Sequence, residues 1–161
     1  MILKNLLDLV CDLAFPKTCL ACGRAEGYLC FVCEREIGFL QEQVCPNCRR
    51  KSEFGKVCGE KCARVFAFDQ LVVCCNYEKS GLLKRLFVLL KYKFAEEVAE
   101  ILGKMMKQQL AYFSHNFGGF ENVVFVPVPA HAKRLKYRGF NQALLLAEYL
   151  SRSFGGIRLV D

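Results

Sequence analysis

Apolar positions change their spacing several times along this chain, and each change predicts an element. Ile2, Leu3, Leu6, Leu7, Val10 and Leu13 recur at helical intervals, which predicts a helix over residues 1–15 with one apolar face. Asp8 and Asp12 interrupt the run and no small-residue cleavage site follows, so a signal peptide is disfavoured. The helix reads as docked on the core, with a membrane-surface anchor as the alternative. The run Phe68 to Tyr77 (FDQLVVCCNY) reads as a strand. Ser80 can cap a helix through Leu82, Leu83, Leu86, Phe87, Leu89 and Leu90, with Lys84, Arg85, Lys91 and Lys93 interspersed. Phe94 to Tyr112 continues as a second helical segment, joined to the first or offset by a kink, and a loop at 114–119 carries His115 as a surface residue.

The pattern then shortens. Asn122 to Val126 is an apolar, β-branched run expected to form a buried strand. Pro127 and Pro129 withdraw two backbone donors and force Val126 and Val128 into extended conformation, so sheet pairing cannot continue past them. A stiff loop carrying His131, Lys133, Arg134, Lys136 and Arg138 is expected next, before Leu144, Leu145, Ala147 and Leu150 announce a helix. Gly155 and Gly156 stop that helix, and Ile157 to Val160 begin another strand.

Cysteines interrupt the front of the chain in pairs: Cys19 with Cys22, Cys30 with Cys33, Cys45 with Cys48, and Cys58 with Cys62. Three pairs are C-x2-C, the spacing that lets two thiolates from one tight turn bind one ion, and the fourth, C-x3-C, relaxes it slightly. Gly23 and Gly59 each follow a cysteine, where a knuckle turn tends to need positive φ. Pairing by neighbourhood gives one site from Cys19, Cys22, Cys30 and Cys33 and a second from Cys45, Cys48, Cys58 and Cys62. A crossed arrangement stays open, but neighbours close shorter loops. With four protein ligands per site, zinc would be structural, with no open position for catalysis. An iron–sulfur cluster or redox-active pairs are the alternatives. Cys11, Cys74 and Cys75 lie outside the pattern; the last two suit small core residues.

Composition narrows the setting. At 161 residues, 53% hydrophobic and 24% charged, the chain is globular rather than disordered. No apolar run reaches the roughly 18 residues a membrane span requires. Eleven cysteines without an export signal point to metal or redox chemistry in a reducing compartment, the cytoplasm by default. Residues 1–78 carry ten Lys/Arg and ten Asp/Glu, so the formal net charge of +7 resides in the second half. An anionic partner should meet that half.

A strand, a basic loop and a helix N-terminus are a generic way to hold anionic oxygens, because unpaired backbone N–H groups and the helix dipole point at the ligand. A Lys/Arg run is equally what a solvated face looks like. The string VPVPAHAKRLKYRGFNQALLLAEYL, however, closely resembles the corresponding segment of the ComF family of competence-associated proteins. The cysteine pairs resemble the zinc-ribbon-like region which that family carries ahead of its core, and LLKRLFVLLKYK resembles its basic helix.

That resemblance implies a fold: a small zinc-ribbon module with four-cysteine sites, followed by an α/β type I phosphoribosyltransferase-like domain, similar to amidophosphoribosyltransferases. It divides the chain into an N-terminal helix (1–15), a double zinc-ribbon module (16–66) and the N-terminal part of a transferase-like domain (67–161). It implies binding of phosphoribosyl pyrophosphate or pyrophosphate, with Mg²⁺ if the domain is completed, at Pro129, Ala130, His131, Lys133, Arg134 and Arg138. Asn141 and Gln142 would brace the helix. The family's association with DNA uptake suggests single-stranded DNA and competence proteins as further partners, and a zinc-ribbon nucleic-acid adaptor without catalysis is the rival reading.

The resemblance is incomplete. A type I transferase also has an apolar strand ending in two acidic residues, followed by a Thr/Gly-rich loop, and no such string occurs here. Glu96-Glu97 lies in a helical context, and IRLVD at 157–161 follows the RGFNQ helix too closely. The expectation is therefore a C-terminally truncated transferase-like domain, or one completed by a partner, with little or no turnover. Exposed apolar sheet surface and self-association through a bare sheet edge should follow.

Overall fold

The computed structural model describes residues 17–91, 95–114, 120 and 122–160. The predicted N-terminal helix, Cys11, Lys93, His115 and Asp161 lie outside these residues. In chain order the elements are α1 (Phe31–Glu34), α2 (Gly59–Ala63), α3 (Gly81–Leu90), α4 (Ala95–Ser114), β1 (Val124–Phe125), α5 (Ala132–Arg138), α6 (Gln142–Ser153) and β2 (Arg158–Leu159), with a 3-10 turn at Glu53–Gly55.

The predicted cap on α3 is present: Ser80 Oγ accepts from Leu83 N at 3.1 Å, satisfying a helix donor that would otherwise be unpaired. Leu83, Leu86 and Leu90 turn inward from α3. On α4, Val98, Leu102, Met105, Gln109 and Phe113 are buried in steps of three and four, so one stripe of a long helix faces the core. The two stripes meet around Leu86, Leu90, Val98 and Met105, together with Ile37 from the cysteine-rich front. α6 packs across α4, with Leu145 and Leu146 against the core cluster and Ala147 and Leu150 buried on the same helix.

β1 and β2 pair in parallel, Val124 opposite Arg158 and Phe125 opposite Leu159, with α5 and α6 forming the crossover. The paired strand is shorter than 122–126 but ends before Pro127, as the missing donor requires. Val124, Val126 and Val128 are exposed, 70% and 76% for the last two, so one side of this ribbon is bare valine. Gly155 and Gly156, at φ 81° and 83°, release the chain from α6 into β2.

Two expectations are corrected. Residues 68–77 form no strand; they meet the cysteine-rich module through single antiparallel bridges, Lys56 to Gln70 and Phe39 to Cys75. Their partner is irregular backbone, and a side chain takes part of the ladder: Val73 N donates to Gln43 Oε1 and Val73 O accepts from Gln43 Nε2, both at 2.9 Å. The second correction concerns Lys133, Arg134, Lys136 and Arg138, which lie on helix α5 rather than in a loop. His131 Nδ1 accepts from Lys133 N at its start and Gly139, at φ 81°, closes its end, so a run of good helix formers has both caps it needs.

The cysteine-rich front is locked to the helices. Gln109 of α4 donates from Nε2 to Leu40 O at 2.6 Å, and Gln43 Nε2 donates to the same oxygen at 2.8 Å. Arg85 of α3 reaches Leu20 O at 2.6 Å, Lys17 pairs with Glu97 at 2.5 Å, and Phe54 meets the Phe113 ring edge-to-face.

Candidate metal centres and anion site

Two groups of four cysteines converge: Cys19, Cys22, Cys30 and Cys33 in one, Cys45, Cys48, Cys58 and Cys62 in the other. Within each the sulfur atoms all lie within 4.8 Å of one another. The grouping is the neighbour pairing and not the crossed one.

Both centres are assembled from the same two parts. The first part is a knuckle turn. Cys19 N donates to Arg24 O and Gly23 N to Cys19 O; Cys45 N donates to Arg50 O and Arg49 N to Cys45 O. The residue after the second knuckle cysteine takes positive φ in each, 76° at Gly23 and 63° at Arg49. The second part is a short helix whose N-cap is a cysteine. Cys30 precedes α1, which contains Cys33, and Cys58 precedes α2, which contains Cys62. Residues three or four apart share a helix face, which is why C-x2-C and C-x3-C serve equally in this half. Gly59, at φ 69°, turns the chain into α2 as its position predicted.

Two of the close sulfur pairs have nearly the separation of a tetrahedral ion's ligands, and a third is tighter. Cys22 and Cys30 are 3.6 Å apart, Cys58 and Cys62 3.7 Å, and Cys48 and Cys58 3.1 Å. Zinc–sulfur bonds of about 2.3 Å place tetrahedral neighbours about 3.8 Å apart. A disulfide would need about 2.05 Å, and all eight are free thiols. Electrostatics points the same way. Burial opposes ionisation of Cys19, but backbone donors at Cys30, Cys22 and Ala21 outweigh it and bring that thiol down. Burial and its cysteine neighbours push Cys33 up. Arg50 lowers Cys48, while Cys48 and Cys45 raise Cys58. Four sulfurs this close cannot all ionise by themselves, so each centre is built to be completed by a cation.

Cys74 and Cys75 stand apart. They are half-buried on a cavity of about 560 Å³ whose walls include Val73, Leu83, Phe87 and Met105. Burial pushes the Cys74 thiol up to about 11 and raises Cys75 as well, which fits small apolar wall residues rather than ligands.

The basic residues gather at the carboxyl end of β1. Pro127 is buried, whereas Pro129, His131, Lys133 and Arg134 are exposed and Ala130 and Arg138 half-exposed. Asn141 holds the segment in place: its Nδ2 donates to Val128 O and its Oδ1 accepts from Ala143 N, both at 3.1 Å, pinning the extended loop to the start of α6. Arg138 Nη1 donates to Gln142 Oε1 at 2.9 Å, while Gln142 Nε2 is shielded from solvent without a hydrogen-bond partner. The bracing by Asn141 was legible from the sequence; the unpartnered Gln142 donor was not.

No family model matches the chain, and no solved structure matches it. Among curated proteins it is similar to Competence protein ComFC of Bacillus subtilis (strain 168), 28% identical over 158 residues that cover 93% of this chain and 64% of that protein. The chain thus spans a little under two thirds of that relative's length. No helix among the described residues is long and apolar enough to cross a membrane. Similarity along nearly the whole chain, joined to two four-cysteine centres, supports a likeness to the ComF family.

Proposed function

We propose that the chain is a zinc-braced, competence-associated protein with a phosphoribosyltransferase-like core that binds the diphosphate of phosphoribosyl pyrophosphate, or pyrophosphate itself, at the carboxyl end of β1. Two structural zinc ions held by the eight paired cysteines shape the front, in a cytoplasmic setting. The observation that carries the anion reading is the parallel β1–α5–α6–β2 unit with its basic residues gathered where β1 ends. Ligands of open α/β sheets bind outside the carboxyl ends of the strands, where helix N-termini and backbone donors converge. Arg134, Lys133 and His131 supply cations or donors from the exposed side, and Arg138 with the unpartnered Gln142 amide supplies donors at the start of α6. A guanidinium suits a diphosphate because it can fork onto two oxygens. The residues present account for binding. Mg²⁺ and turnover would require the acidic strand end that these 161 residues do not contain.

A second reading, a nucleic-acid adaptor, is favoured by one observation: α5 buries none of its residues and sets Tyr137, 81% exposed, among four cations. Aromatic and basic residues together are what single strands stack and pair on. Titrating the chain with pyrophosphate and with a single-stranded oligonucleotide at two salt concentrations separates the two. Pyrophosphate binding with a shallow salt slope, weakened about tenfold by Arg134→Ala, supports the first reading. Oligonucleotide binding that falls steeply with salt and is indifferent to pyrophosphate supports the second.

A further inference from the structure

The two centres share a plan but differ in what surrounds their sulfurs. In the first, Cys19, Cys30 and Cys33 are buried against Leu29 and Leu82, and backbone N–H groups supply the donors to Cys19. In the second, backbone donors at Cys58, Cys48 and Asn47 serve Cys45 in the same way, and a charged side chain is added. Arg50 Nε donates to Cys48 Sγ at 3.5 Å and Arg50 Nη2 to Cys58 Sγ at 3.6 Å. Cys48 comes from the knuckle and Cys58 from the cap of α2, so the guanidinium forks across the seam between the two parts of the centre.

Three consecutive cations, Arg49, Arg50 and Lys51, invite the bland reading of a solvated charge run. Their positions argue otherwise. Lys51 is paired with Glu42 at 2.5 Å, on the antiparallel bridge to Val44. Arg49 spends its backbone on the positive-φ step of the knuckle. Arg50 is anchored by its own carbonyl, which accepts from Cys45 N at 2.9 Å, and its side chain turns onto the sulfurs. An ion with four thiolates leaves two net negative charges on the sulfurs. Donors aimed at them draw off electron density and so reduce attack by electrophiles and acid.

We propose that Arg50 is a positioning residue of the second centre: its fork ties the knuckle sulfur to the helix sulfur and lowers the reactivity of both, so that this more open site keeps its ion. The inference rests on the reading that the centre holds zinc.

The test uses the full chain and three variants: Arg50→Ala, Arg50→Lys, and Arg49→Ala as the control for losing one nearby charge. Zinc content is measured by elemental analysis, zinc transfer to 4-(2-pyridylazo)resorcinol is followed over time, and N-ethylmaleimide adducts are located by peptide mass spectrometry. The wild type and Arg49→Ala should carry two zinc ions per chain and release them alike. Arg50→Ala should release one ion about 10-fold faster, in line with the usual cost of removing an outer partner of a metal ligand. Adducts should rise at Cys48 and Cys58 and stay unchanged at Cys19, Cys22, Cys30 and Cys33. Arg50→Lys, which keeps the charge without the fork, should fall between. Isolation of Arg50→Ala with one ion, and with Cys48 and Cys58 alkylated, would be the same result at its limit. Equal release and equal labelling in Arg50→Ala and Arg49→Ala would overturn the role of Arg50 while leaving the zinc reading intact; a wild-type chain purified without zinc would remove both.

Discussion

Tyr149 of α6 lies with its ring against the bare backbone of Gly103 on α4, so closely that a methyl group at position 103 would come within 2.4 Å of the ring. The glycine is what lets the two helices approach this closely.

Gly103→Ala tests this contact. Alanine in mid-helix should stabilise by up to about 1 kcal/mol through propensity, whereas overpacking costs about 1–3 kcal/mol. The clash involves the near end of a ring and is expected to win. Chemical denaturation of the metal-loaded protein should show a net loss; a gain would mean that Tyr149 swings away freely.

Gly55 is the more stringent position. It sits at φ 75°, and a Cβ there would lie 2.0 Å from Leu71 O, the backbone of the adjoining segment. Strain and collision act together in Gly55→Ala, for a cost of about 2 kcal/mol or more. Because Gly55 O also accepts from Leu71 N, the damage should reach the second centre and lower zinc content there before the first. Elemental analysis after brief chelator exposure reads this directly.

Removing one ligand should empty one centre. Cys30→Ser and Cys62→Ser should each reduce zinc from two ions to one, since the two groups share no cysteine. Cys30→Ser should also lower thermal stability more, because Cys30 packs with Leu29 and Leu82 beside the main core.

The Cys74 thiol gives a pH prediction. Burial raises it from 9.0 to about 11, so the protonated form is favoured and, at any pH below both values, about 100-fold less thiolate is present than in a free cysteine. Iodoacetamide labelling of Cys74 in the folded chain should be at least that much slower at pH 8, and should climb about tenfold per pH unit until about 11. The same shift makes the contribution of this site to stability complete below about 9 and lost as pH rises through about 11.

Much of this was legible in the chain itself. Cysteine spacing marked the eight thiols and their neighbour pairing, Ser80 marked the start of α3, and Pro127 marked the end of β1. What escaped was non-local. Nothing in FDQLVVCCNY reveals that Gln43, thirty residues earlier, supplies hydrogen bonds that a neighbouring strand would otherwise provide. The basic run 133–138 looked like a loop because its apolar content is too low for periodicity to register. Its helix depends on caps at His131 and Gly139 rather than on an inward face, for it buries no residue. Arg49 adopts a glycine-like φ without being glycine, so composition could not mark the second knuckle as it marked the first.

Leu40 offers a single carbonyl oxygen to two amides, one from the cysteine-rich front and one from the long helix. Cutting the polypeptide just after residue 66 would strand Gln43 without Val73 and Leu40 without Gln109, so each fragment would lose hydrogen bonds that its fold uses. The boundary that the resemblance implies is thus a poor place for an expression biologist to put a stop codon. Pieces meant to isolate the ribbon should run at least through Cys75, and would still lack the helix that seals it.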